Sequence, residues 1–185
     1  MKIIVIKENG AERSYHLMAD SSMLVNNKPF FVPDFAPEFV MHAALAIRVD
    51  RLGKNIAPRF AHRYYQSVAA CAVVEATGIE CNALDARYSA FDGAFMLGNA
   101  IAIADIVAPE GFKVEAFADE NAADSTTLLT TQHIDAIVAE ASEFFTLKMG
   151  DMIVVGSDTT GHKLNIGEHL SATVNKTDSL KMRIK

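Results

Sequence analysis

The fold is decided by residues Ser142–Ser157, which read SEFFTLKMGDMIVVGS and join a helical pattern to a strand pattern. Before this stretch, apolar residues recur every three or four positions behind a run of threonines suited to N-capping. Gly150 and Asp151 then turn the chain. The apolar spacing before the turn predicts a helix from about Thr131 to Phe145. The apolar residues after the turn predict a strand from Met152 to Val155.

Most of the remaining chain shows the period-two alternation of strands. The clearest example runs from Phe39 to Val49, and further strands are predicted at Lys2–Lys7, Leu170–Val174 and Leu180–Ile184. In the last of these, basic residues share one face, which we interpret as solvated or edge-protecting. The balance is strand-rich and does not alternate strand and helix as a parallel-sheet fold would.

Two further elements are predicted from local signals. Asn26-Asn27 resembles the turn of a hairpin between strands at Met23–Val25 and Phe30–Val32. Pro58–Gln66 is a candidate for a second short helix with a proline in its first turn.

Composition favours one packed domain, residues 1–185, and excludes a disordered chain. Half of the 185 residues are hydrophobic and 22% are charged. The net charge of -6 repels phosphate backbones, so we expect no nucleic-acid partner. The apolar start of the chain is too short for a signal peptide, and no stretch approaches the length of a membrane helix. Cys71 and Cys81 form no metal-binding or disulfide pattern, so a reduced cytoplasmic setting is expected.

The stretch at 142–157 resembles a pattern of the fumarylacetoacetate hydrolase family, Ser-x-x-x-Thr-Leu-x-x-Gly-Asp-x-Ile-x-x-Gly-Thr. Supporting blocks occur in the family's order, and the likeness is collinear over nearly the whole chain. These blocks are Lys28-Pro29-Phe30-Phe31, Leu52-Gly53-Lys54-Asn55-Ile56, Phe91-Asp92-Gly93 with Leu97-Gly98, and Ser125-Thr126-Thr127.

This resemblance implies a mostly β (α+β) fold, a β-sandwich or roll with few short helices, usually as a homodimer. Enzymes of the family hydrolyse, isomerise or decarboxylate small 2-oxo acids and diketones. The implied chemistry uses a divalent cation such as Mg²⁺, held by carboxylates, as a Lewis acid. A lysine assists the developing enolate, and a His/Glu pair on a lid loop activates water.

The positions that align with the family's metal ligands carry other residue types here. The first two ligands form Glu-x-Glu on one strand, and His42-Ala43-Ala44 stands at that place. The third ligand, an Asp, aligns with Val73, and the nearest acid is Glu75. We therefore expect no metal cofactor. His42 and Glu75 are the residues that come nearest to a ligand set, and a divalent cation would be needed only if the family activity survives.

The other catalytic positions also differ. Ser89 stands where the family has its lysine, and in the lid segment Arg13 and His16 occupy the places of the His and the Glu. Arg13, Arg48, Lys28 and Ser89 are candidates for holding a small carboxylate ligand, partly through charge-assisted hydrogen bonds. Ordinary surface pairing is the alternative for Arg48, and a simple turn position is the alternative for Lys28.

Three functional hypotheses stay open. In the first, the protein has lost the metal-dependent reaction and is a binding or interaction module, as a homodimer. In the second, it is an enzyme on a small 2-oxo acid or diketone with a rebuilt site, for which Arg13, His16 and His42 are catalytic candidates. An imidazole can exchange protons near neutral pH. In the third, the chain is a structural subunit that pairs with an active homologue.

Overall fold

The computed structural model describes residues 1–10, 12–80, 85–107, 110–157 and 159–185. Strands dominate this part of the chain. In chain order they are β1 (Ile3–Asn9), β2 (Glu12–Met18), β3 (Met23–Val25), β4 (Pro29–Phe30), β5 (Glu38–Val49), β6 (Tyr65–Thr77), β7 (Phe95–Leu97), β8 (Ile101–Ala102), β9 (Val114–Ala118), β10 (Asn121–Ser125), β11 (Met152–Ser157), β12 (His162–Lys163), β13 (His169–Val174) and β14 (Thr177–Ile184).

Helices are few and short. The described residues contain α1 (Ala86–Ser89), α2 (Thr131–Phe144) and three 3₁₀ segments, Asp20–Ser22, Pro58–Arg63 and Ile103–Asp105. Helix α2 begins at an N-cap, because the Thr130 side chain accepts a hydrogen bond from the His133 amide. This is the mostly β fold with few short helices that the sequence predicts.

The described strands form two sheets. The larger has the order β2-β1-β11-β5-β6-β7-β3, with β12 also paired to β5 and β8 to β6. The smaller has the order β10-β9-β13-β14-β4. Long antiparallel pairing between β5 and β6 forms the centre of the larger sheet, and β11 joins β5 to β1.

The main core lies between the two sheets and beneath α2. It contains Leu45 and Ile47 of β5, Leu180 of β14, and Ile134 and Ile137 of α2, all at most 2% exposed. The helix contributes the apolar stripe that its spacing predicts, and it covers one edge of this core.

The other face of the larger sheet is concave. Met18 of β2 and Phe95 of β7 belong to one buried cluster, although four strands separate β2 from β7 in the sheet. Ala44 and Ala46 of β5 and Cys71 of β6 lie in the same cluster. The sheet is therefore rolled around this second apolar core, and polar residues on the same strands lie towards the two ends of the roll.

The predicted elements at Phe39–Val49, Thr131–Phe145, Met152–Val155 and Leu170–Val174 are confirmed within one or two residues, and the last strand begins three residues earlier than predicted, at Thr177. The basic residues of β14 are exposed, as predicted. They do not protect an edge, because β14 is covered on one side by β13 and on the other by β4.

The predicted hairpin is wrong, and the second short helix is confirmed in position but differs in type and in where it ends. The turn at Asn27 exists, with φ of 64°, but no hairpin follows it. Strand β3 pairs in parallel with β7, whereas β4 pairs in parallel with β14 in the other sheet. At this turn the chain leaves the larger sheet for the smaller one, so β3 and β4 pair with strands distant in sequence and not with each other. The predicted helix at Pro58–Gln66 is a 3₁₀ segment ending at Arg63, because the apolar run from Tyr65 enters β6.

In the described residues, no helix has the length and hydropathy required to span a bilayer. Cys71 is a buried free thiol that donates to the Ala44 carbonyl at 3.2 Å, and burial raises its pKa. Such burial is typical of a structural cysteine with an unreactive thiol. Cys81 lies outside the described residues.

Candidate functional site

Three long strands bring polar side chains together at one end of the roll. On β5, residues 42, 44, 46 and 48 share the concave face, because side chains alternate along a strand. His42 lies at the polar end of this series. Glu75 of β6 is one alternation beyond Val73, the residue paired with His42. On β1, Lys7 is one alternation beyond Val5, which belongs to the apolar cluster of the concave face, so Lys7 lies at the same end of the roll.

The centre of this site is Glu75, whose side chain is 6% exposed and whose carboxylate has three partners. The Lys7 ammonium forms an ion pair with Oε1. The Tyr88 hydroxyl of α1 donates to Oε2 at 2.5 Å, and His42 Nε2 lies 3.4 Å from the same oxygen. Both oxygens are therefore engaged, which satisfies a buried charge that would otherwise be costly. We call Lys7, His42, Glu75 and Tyr88 the Glu75 cluster.

A second contact orients the His42 ring. Its Nδ1 lies 3.3 Å from Thr159 Oγ1, and the Thr159 hydroxyl donates to Asp124 Oδ2 at 3.1 Å. Asp124 Oδ2 also accepts from the Ala43 amide at 2.7 Å. A hydroxyl has a single proton, so Thr159 accepts from His42 Nδ1–H when it donates to Asp124. Nε2 is then the ring nitrogen that lies 3.4 Å from the Glu75 carboxylate oxygen.

His16, from the predicted lid segment, lies beside this cluster on β2. It is paired with Val5 of β1, and its Nε2 is buried without a hydrogen-bond partner in the described structure. Burial and the charge of Lys7 lower the pKa of His16 to about 4. The ring is neutral at pH 7 and is a much weaker base than an exposed histidine, which does not suit proton exchange near neutrality.

Arg13 lies on the opposite face of β2. Its guanidinium is paired with Glu8 and with Glu140 of α2. Glu140 also accepts from the Tyr15 hydroxyl at 2.5 Å, and Glu8 lies 2.8 Å from His133 Nε2. This network fastens the β1–β2 hairpin to α2. The structure does not bring Arg13 to His42 and Glu75.

The predicted carboxylate-binding residues are dispersed. Lys28 is exposed in the turn that separates β3 from β4. Ser89 is buried at the end of α1, next to Tyr88. Arg48 lies on the concave face but at the other end of β5, opposite Ser67 of β6. Of these three, Ser89 is adjacent in sequence to the Glu75 cluster.

The donor set at the Glu75 cluster does not fit a divalent metal. Among the described residues, no group of three or more His, Cys, Asp or Glu side chains is placed to hold an ion. Mg²⁺ and Mn²⁺ prefer several oxygen ligands, and Glu75 is the sole carboxylate of this cluster. Its oxygens already face an ammonium, a phenol and an imidazole. Ala44 and Val73, on the same face, offer no donor.

Sequence reasoning finds His42, Glu75 and His16 but misses Lys7, Tyr88, Thr159 and Asp124. For Lys7 a signal exists, because period two places it on the same face as Val5 at the end of an apolar strand. The others come from short elements and loops whose positions depend on tertiary packing. Asp124, for example, lies on β10 of the smaller sheet, whereas Thr159 is 35 residues further along the chain and lies between β11 and β12 of the larger sheet.

Comparison with known proteins agrees with this fold. The family model described as "Fumarylacetoacetate (FAA) hydrolase C-terminal" matches residues 6–185. The chain therefore belongs to the fumarylacetoacetate hydrolase family, as the resemblance at 142–157 predicts. A sequence comparison with curated proteins gave no match.

Solved structures with the same fold include enzymes of this family. The fumarylpyruvate hydrolase from Pseudomonas aeruginosa, solved with Mn²⁺ and pyruvate, superposes with a TM-score of 0.86 at 12% identity, over 100% of this chain and 89% of that one. The 5-carboxymethyl-2-hydroxymuconate delta-isomerase from Mycobacterium smegmatis gives 0.80 at 18% identity, over 99% and 78%. The 2-hydroxyhepta-2,4-diene-1,7-dioate isomerase from Mycobacterium marinum gives 0.78 at 17%, over 99% and 73%.

Proposed function

We propose that this protein is a member of the fumarylacetoacetate hydrolase family that does not carry out a metal-dependent reaction and acts as a binding or interaction module. The observation that carries the proposal is the Lys7 ammonium on the buried Glu75 carboxylate. In this proposal the lysine supplies the positive charge that balances the acid at the end of the roll, so that no cation is required.

Electrostatics supports this assignment. A divalent ion placed about 4 Å from the Lys7 ammonium would be repelled by about 8 kcal/mol at an effective dielectric constant of about 20. An ion that bound Glu75 would also have to displace partners that the carboxylate already has.

The experiment is a metal-dependence assay on the purified protein. We expect no turnover of fumarylpyruvate, other acylpyruvates or oxaloacetate with Mg²⁺ or Mn²⁺, and no saturable heat of Mn²⁺ binding in calorimetry. Turnover that EDTA abolishes, or a stoichiometric Mn²⁺ site, would contradict the proposal. The fumarylpyruvate hydrolase from Pseudomonas aeruginosa is the positive control for the assay.

One observation favours a second candidate, an enzyme on small 2-oxo acids or diketones that works without a metal. His42 contacts Glu75 and Thr159, and the Thr159 hydroxyl in turn donates to Asp124, so the imidazole is held in one orientation, as a general acid or base would be. In that case turnover persists in EDTA and is lost in His42→Ala. Activity that is unchanged in this variant excludes the candidate.

For assembly and location, we propose a homodimer in the cytoplasm, and family resemblance supports the dimer. Sedimentation equilibrium should give twice the chain mass. A monomer, or purification from its natural source in complex with an active homologue, would instead favour the structural-subunit hypothesis.

A further inference from the structure

A cavity opens at the end of the roll opposite the Glu75 cluster. Its volume is about 480 Å³, within the usual size range of small-molecule sites. It lies over the ends of β5 and β6, and β3, β7 and β11 also contribute to its walls. Arg48 is six residues from His42 on the same strand, which corresponds to about 20 Å at about 3.3 Å per residue. The two sites are therefore separate.

The floor of this cavity is apolar and its rim carries a cation. The floor contains Ala46, Ala69 and Met152, which are at most 8% exposed. The rim contains Arg48, Ser67 and Asn99. Arg48 has the one charged side chain among the described residues that line the cavity. We call this site the Arg48 cavity.

Two polar side chains of the rim, Arg48 and Ser67, are available to a ligand. Within the described ranges, neither the Arg48 guanidinium nor the Ser67 hydroxyl has a side-chain hydrogen bond or ion pair. Arg13, by contrast, is held by two carboxylates. Arg48 and Ser67 are directly paired in the β5–β6 register and lie on the concave face. Their donors are thus adjacent and can act on the same ligand.

We propose that the Arg48 cavity binds a small monocarboxylate with an apolar body. The carboxylate would accept two parallel hydrogen bonds from the planar guanidinium and a third from Ser67. The apolar body would lie on Ala46 and Ala69, whose small side chains leave the space open. This inference rests on the proposed binding role and names the ligand class for it.

The charge of the cavity favours a single carboxylate over a phosphate. A phosphate carries close to two negative charges and is usually held by several cationic or amide donors. Here the Arg48 guanidinium is the one charged side chain among the described lining residues, it faces an apolar floor, and the chain has a net charge of -6. A monoanion matches this single charge, and the apolar floor gives further stabilisation to a ring or a short alkyl chain.

The test uses benzoate as the probe and benzamide as its neutral counterpart of nearly equal shape. Binding is followed by amide chemical shifts of the ¹⁵N-labelled full chain. We expect saturable benzoate shifts centred on Ala46, Ser67 and Ala69, and at least a tenfold weaker response to benzamide.

Variants then locate the site. Arg48→Gln should weaken benzoate binding about 10- to 100-fold, the range for a hydrogen bond to a charged group. Arg51→Gln is the matched control, because Arg51 is an exposed arginine of the following loop that does not line the cavity. It should change affinity less than twofold. Ala69→Leu, which fills the floor, should also abolish binding while Arg48 is retained.

The proposal is overturned if benzoate gives no saturable shifts, if benzamide binds equally well, or if Arg48→Gln and Arg51→Gln have equal effects. Shifts confined to Ala43 and Val73 would place the ligand at the Glu75 cluster and would overturn it too. Metal-dependent turnover would contradict the proposed function but would leave benzoate binding at Arg48 intact, so the two failures can be distinguished.

Discussion

Replacement of Lys7 by methionine tests whether its ammonium balances the buried charge of Glu75. The Glu75 side chain is 6% exposed, and Lys7→Met leaves it with Tyr88 and His42 as the partners described above. Removing one member of a buried ion pair costs about 3–5 kcal/mol. Because the Lys7 side chain is 29% exposed, water screens the pair, and we expect the lower end, about 3 kcal/mol.

For a chain of this length, each kcal/mol corresponds to about 2–4 °C, so the variant should lose about 6–12 °C in Tm. Urea unfolding followed by far-UV circular dichroism gives the free energy directly. The matched control is Lys163→Met, which breaks the exposed pair with Glu38, where the side chains are 54% and 47% exposed. An exposed pair contributes at most about 1 kcal/mol.

The double variant Lys7→Met, Glu75→Gln removes both charges and should recover much of the loss, since an amide needs no counter-charge. If Lys7→Met costs no more than Lys163→Met, the ammonium does not balance a buried charge. The electrostatic argument for a metal-free site then fails.

Three further predictions concern stability. The pKa of His16 is lowered from 6.5 to about 4, so the unfolded chain binds more protons and stability should fall by up to about 3 kcal/mol as the pH drops from 7 to 4. His16→Phe should remove that part of the pH dependence in urea titrations at the two pH values; an unaltered dependence would refute the assignment. Asp151→Ala should cost about 2–3 kcal/mol, because Asp151 accepts from the Lys2 and Lys148 amides, and Asp151→Asn should cost less. Thr130→Ala should lose about 1 kcal/mol through the N-cap of α2, whereas Thr130→Ser should be nearly neutral in the same unfolding assay.

Local periodic patterns are read correctly from the sequence. Helix α2 forms where apolar residues recur at helical spacing behind Thr130, and β5 forms where they alternate. Both signals need only the residue's own neighbours, because the helical and strand periods decide which side chains share a face. The family follows from the stretch at 142–157, whose turn is held by Asp151.

Pairings between distant strands are not encoded locally. The turn after Val25 has the residues of a hairpin turn, yet β3 and β4 join different sheets because β7 and β14 are available as partners. A two-residue strand such as β4 has too little pairing of its own to decide its place, and the packed core decides it.

By itself, the sequence determines that this is a strand-rich member of its family and that the aligned positions at 42, 44 and 73 carry no carboxylate. Tertiary structure alone decides what takes their place. Lys7 and Glu75 are 68 residues apart and meet because the intervening strands β11 and β5 bring β1 and β6 into one rolled sheet. Charge balance depends on distances of a few ångströms, and such distances are set by how strands pair and the sheet curves.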